Sequence, residues 1–143
     1  MDFTQYDSRT AAEEGRELHL AHPATGDLLY DGDKPCIVIV RGNESRAAQQ
    51  EMARIRAAKV ADKDDDVSSL EQVHGRLVEA VRPLIVGFAN INRGKVKAKA
   101  PDDVDWFLNL QMVNGRADER SFAEQVAAFA TKRANFLGVP SKG

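Results

Sequence analysis

The sequence holds a single cysteine, Cys36, among 143 residues. No intrachain disulfide can form, a zinc cluster built on thiolates is excluded, and a reducing compartment suits the chain. Long apolar runs are missing too: no window approaches the roughly 20 residues that a membrane helix needs. Met1 to Gly15 is polar and charged, so neither a signal peptide nor a membrane anchor is expected. Charge of one sign is also in short supply. Twenty Lys and Arg against 22 Asp and Glu leave a formal charge of -2. That field is too weak to draw in DNA, RNA or anionic lipid, so neither nucleic acid nor membrane is an expected partner.

Recognisable chemistry is equally scarce. The histidines are His19, on the polar phase of an expected strand, His22, before Pro23, and His74, beside Gly75. No two stand four residues apart on a helix, the spacing that would aim both at one metal ion. Cys36 lies in the apolar run Cys36-Ile37-Val38-Ile39-Val40, where burial raises a thiol's pKa instead of activating it. Asp62 to Asp66, acidic apart from Lys63, lacks the glycine and distal glutamate of a calcium loop and reads as a solvated linker. No glycine run matches a phosphate-cradling loop. The expectation is therefore a protein without catalytic residues, metal or cofactor, and not an enzyme.

What is present is pattern. Over residues 1–43, Asp7 or Ser8 can cap a helix of one or two turns that Gly15 would end. Leu18 and Leu20 then alternate with Glu17 and His19, Leu28-Leu29-Tyr30 is a second strand candidate, and Cys36 to Arg41 is the strongest because β-branched residues dominate it. A small antiparallel meander is the economical assembly. Residues 44–100 read as two helices and a basic loop. The first, Glu44 to about Val60, has only Ala48, Met52, Ile55 and Ala58 as an apolar stripe and should be lightly buried. In the second, Val67, Leu70, Val73, Leu77, Val81, Leu84, Ile85 and Phe88 recur at spacings of three and four, which predicts one buried face, with a kink or restart at Pro83. Arg93, Lys95, Lys97 and Lys99 then suit a solvated loop or edge strand.

Residues 101–138 read as a helical pair. Asp102 is a capping candidate for a helix that turns Trp106, Phe107, Leu110 and Val113 inward. Ser121-Phe122-Ala123-Glu124 has the spacing of a capping box, followed by Phe122, Val126, Phe129, Arg133 and Phe136-Leu137 along one face, with Gly138 and Pro140 as terminators. Residues 139–143 are expected to be a flexible tail. The whole reads as one α+β domain, a small N-terminal meander packed on a mainly helical body. Six of the nine aromatic residues lie in the C-terminal half, which makes that half the expected binding part. Most should be core, yet neighbours on a helix are about 100° apart, so Trp106 and Phe107 cannot share one narrow stripe. Trp106, Phe107, Phe122, Phe129 and Phe136 are the candidate protein-binding residues, because large aromatics are the usual interface anchors. The open edges of a small sheet make self-association a second expectation.

The order of features resembles a known family. The opening Asp7-Ser8-Arg9-Thr10-Ala11-Ala12-Glu13-Glu14-Gly15, then Leu18-His19-Leu20-Ala21-His22-Pro23-Ala24-Thr25-Gly26, is similar to that of small tail proteins of long-tailed bacteriophages. Gly87-Phe88 leading through a loop to the acidic helix start Asp102-Asp103, and a close on Asn135-Phe136-Leu137, resemble the tail assembly chaperones of phages with long non-contractile tails. The chain departs from that pattern at Phe88, where tryptophan is common, and in the basic stretch from Arg93 to Lys99. The resemblance implies a protein of the bacterial host cytoplasm that binds the tape-measure protein, keeps it soluble and recruits major tail-tube subunits before leaving, so that the mature virion lacks it. A structural virion component, such as a minor tail or connector protein, is the alternative it leaves open.

Overall fold

The computed structural model describes residues 1–61 and 69–137. Asp7 opens the first helix, α1 (Ser8–Glu14), by accepting the Thr10 N–H at 3.0 Å. Gly15 closes it at φ +91°, where a Cβ would also lie 3.0 Å from Ile39 Cγ2, so only glycine fits the turn into β1 (Arg16–His19). Leu28 to Tyr30 does not join the main sheet. Tyr30–Asp31 (β2) and Lys34–Pro35 (β3) form a separate hairpin, linked to β1 through an isolated bridge between Ala21 and Leu28.

Ile37–Val40 (β4) pairs antiparallel with β1, Leu18 opposite Val38. The next helix, α2 (Arg46–Ala61), starts at Ser45, whose hydroxyl accepts the Ala48 N–H at 3.2 Å. Ala48 is its buried contact, and Met52 stays exposed, as its thin apolar stripe predicts. The acids Asp62 to Asp66, and Val67, lie outside the described residues.

The third helix, α3 (Leu70–Val81), is capped by Ser69, whose hydroxyl accepts the Gln72 N–H. The expected continuation to Phe88 is where sequence periodicity fails. The helix ends at Val81, Pro83 sits in a 3-10 turn, Arg82–Leu84, and Ile85–Ala89 becomes strand β5. Pro83 cannot donate to the helical ladder, and β4 offers an apolar strand for pairing. The result is a three-stranded antiparallel sheet of order β1-β4-β5, with Phe88 opposite Val38 and a bulge where Ile39 and Val40 meet β5. The basic run folds into a further hairpin, β6 (Asn92–Arg93) and β7 (Val96–Lys97), turned by Gly94 at φ +65°.

The next helix, α4 (Val104–Leu108), is shorter than its pattern suggests. Asp102 does not cap it, and the Asp103 carboxylate instead accepts the Lys99 N–H and pairs with Arg93. Leu108 is buried where Leu110 was expected, and Leu110 is exposed. The last helix, α5 (Phe122–Thr131), has the complete capping box of Ser121 and Glu124. Lys132 leaves helical geometry, and Arg133–Phe136 forms a 3-10 turn, so the expected continuous face through Leu137 is broken. Gly138, Pro140 and the 139–143 tail lie outside the described residues.

The protein is thus α+β. Val38 and Val40 on the inner face of the sheet pack against Val78 and Val81 of α3, Phe107 and Leu108 of α4, and Val126 and Ala130 of α5. That core draws on all three sequence segments. A smaller cluster joins Ala11 and Ala12 of α1 to Phe136. Among the described residues no helix is long and apolar enough to cross a membrane.

Candidate protein interface

The aromatic candidates mostly serve the core. Phe107 is 1% exposed, its ring stacked on Phe122 at 5.1 Å and edge-on to Phe88 at 5.2 Å. Phe136 is 4% exposed, packed edge-on to Phe129 at 5.6 Å and against Ala12. As anchors for a partner, Phe107 and Phe136 are corrected here: a side chain enclosed by its own fold cannot touch another chain without unfolding. Phe122 and Phe129 are half-buried and pack against the same core. Trp106 is half-buried too, with the Arg93 guanidinium 5.5 Å from its ring centre and Arg93 tied in turn to Asp103. The 100° step between neighbours thus sends Phe107 inward and Trp106 to the rim.

An apolar surface lies elsewhere, between α3 and α5. The buried residues of α3 are His74, Val78 and Val81. On a neighbouring arc, Leu70 is 53% and Val73 43% exposed, with Leu77 half-buried beside them. Across from them α5 presents Ala127 and Ala128, Val113 lies on the same wall, and Arg116, Arg120 and Glu124 stand at the rim of an open groove of about 540 Å³. A second recess of about 180 Å³, reaching Met52 and Ile55 of α2, shares Leu77 and Ala127 with the first. The two form one apolar strip across three helices. Sequence reasoning missed it because Leu70 and Val73 share the three-and-four spacing of the buried residues. The signal lay in the width of the pattern: Leu70, Val73, Leu77, Val78, Ala80 and Val81 cover more of the helix than one buried stripe.

The groove is chemically quiet. Glu124, the one carboxylate among the described residues that line the larger recess, is committed to structure. Burial pushes its carboxyl up, but the Ser121 N–H and hydroxyl and the Gly115 and Asn114 N–H groups outweigh this and hold its pKa below the ordinary value. The histidines are far apart in role. His19 Nε2 is 2.7 Å from the Leu29 carbonyl, His22 Nδ1 accepts the Ala24 and Thr25 N–H groups, and His74 Nε2 meets Asn109 Oδ1 at 2.7 Å. Burial, with a smaller effect of Asp31, pushes the Cys36 thiol up, and its Sγ donates to the Asn90 carbonyl at 3.4 Å. Among the described residues no group of three His, Cys, Asp or Glu side chains could hold a metal ion.

The strip is open and walled by helices, with the small side chains of Ala127 and Ala128 on one wall. Fold and surface define an α+β protein with an open apolar groove between α3 and α5. No protein-family model, curated protein or solved structure matches the chain.

Proposed function

We propose that this protein is a tail assembly chaperone of a phage with a long non-contractile tail. It acts without catalysis in the host cytoplasm, binds the tape-measure protein, keeps it soluble and brings in major tail-tube subunits, and it is not retained in the mature virion. The observation that carries the proposal is the groove between α3 and α5, where Leu70 and Val73 remain exposed and Leu77 half-buried on a helix whose Val78 and Val81 are buried. An extended amphipathic helix would place apolar residues at helical spacing along this strip. Many copies, each of modest affinity, would then cover a long chain cumulatively. The sequence features from Asp7 to Gly26 and at Asn135-Phe136-Leu137 support the same reading.

Co-expression with a tape-measure protein tests it. The expected result is a larger soluble fraction of that protein and its co-purification with this chain; no complex and no gain in solubility would overturn the proposal. Purified virions are expected to lack the chain. Its presence there at fixed copy number would replace the chaperone reading with that of a minor tail or connector protein.

A further inference from the structure

We propose that β5 pairs with β5 of a second copy, joining two three-stranded sheets into one of six strands about a two-fold axis at Gly87. The strand lies at one edge of the β1-β4-β5 sheet, with no strand beyond it among the described residues. Its sequence, Ile-Val-Gly-Phe-Ala, contains neither charge nor proline, the usual protections of a sheet edge. The opposite edge, β1, is protected: Arg16 and Glu17 are two of its four residues.

The backbone pattern identifies the free groups. Leu20 donates its N–H to the Cys36 carbonyl at 3.0 Å, and Arg41 donates to the Leu84 carbonyl at 2.7 Å. In an antiparallel sheet the bonding direction alternates, so Val38 and Val40 face β1 while Ile37 and Ile39 face β5. Their partners in β5 are Ala89 and Gly87. The N–H and carbonyl of Phe88 therefore point away from β4, and none of the described residues bonds to them from that side. Val86, at the bulge, is 41% exposed.

A second copy fits this edge because the strand complements itself. Antiparallel pairing centred on Gly87 sets Val86 of each copy against Phe88 of the other, so the free N–H and carbonyl of each Phe88 face the partner's edge. Gly87 then meets Gly87 at a non-hydrogen-bonded position, where Cα atoms approach to about 4.5 Å. Such a contact uses the same patch on both chains, as closed two-fold dimers do. No charge is brought against its own kind. The groove between α3 and α5 is a separate surface and takes no part.

Sedimentation of the intact chain at high micromolar concentration is expected to give twice the monomer mass, and Val86→Lys to return it to the monomer with unchanged circular dichroism. A second variant guards against misfolding. A Cβ at Gly87 meets only Ile39 Cγ1, at 3.9 Å, so Gly87→Cys in a Cys36→Ser background should fold and cross-link two chains on mild oxidation. Glu17→Cys on the other edge should not. A native chain that stays monomeric overturns the proposal, as does a dimer that survives Val86→Lys or cross-links through Glu17→Cys instead of Gly87→Cys.

Discussion

His74 donates from Nε2 to Oδ1 of Asn109 across 2.7 Å, tying α3 to the end of α4. The Asn109 amide is oriented by its own bond from Nδ2 to the Asp105 carbonyl, also 2.7 Å, which turns Oδ1 to the imidazole and sets the proton on Nε2. His74 Nδ1 is buried without a partner. Asn109→Ala would remove the partner of Nε2 on this largely buried ring, and urea unfolding should report a loss of about 1–3 kcal/mol. Adding His74→Leu to that variant removes both ring nitrogens and should recover much of the loss.

Two glycines should respond with opposite signs. A Cβ on Gly42 would lie 2.9 Å from the Ala12 Cβ and 3.0 Å from the Phe136 ring. Neither neighbour can swing aside, so Gly42→Ala should cost about 1–3 kcal/mol through overpacking. Gly75, within α3, has nothing within 4 Å of such a Cβ. Gly75→Ala should stabilise by about 0.5–1 kcal/mol through backbone entropy, and thermal melts of the two variants would separate in opposite directions.

The capping box carries a pH dependence. The folded pKa of Glu124 is below its ordinary 4.5. Its contribution is therefore present above the unfolded pKa and is lost as pH falls through the folded one. The stability gap between the wild type and Glu124→Gln should be full at neutral pH and shrink on acidification through this range. Asp7, Glu44 and Asp103, also lowered by their hydrogen bonds, leave a residual slope in the variant. Ser121→Ala removes the other half of the box and should cost about 1 kcal/mol.

The groove and the aromatic core should separate binding from folding. Leu70→Glu with Val73→Glu places charge on side chains already exposed, so the melting temperature should hold while co-purification of a tape-measure protein is lost. Phe107→Ala should instead unfold the chain more easily, by about 3–5 kcal/mol in urea titration. Loss of partner binding from a fully folded Trp106→Ala variant, with the groove variants unaffected, would move the interface to the Arg93–Trp106 corner.

Much of the local structure was decided by the sequence. The caps at Asp7 and Ser121, the stop at Gly15, the strand at Ile37 to Val40 and the thin burial of α2 all follow from nearby chemistry, since each needs only a few neighbouring residues. The buried dihedral choices did not. Ile85 to Ala89 satisfies a helical period as well as a strand, and only pairing with β4, more than 40 residues away in sequence, decides between them. The same holds for burial on α3 and α4, where Leu70 and Leu110 face outward and Leu108 inward because of where α5 and the sheet lie. An apolar spacing in the sequence sets which side chains can share a face. Tertiary packing alone sets which of those faces is covered, and so turned the aromatic-rich half into core and left the groove of Leu70 and Val73 open.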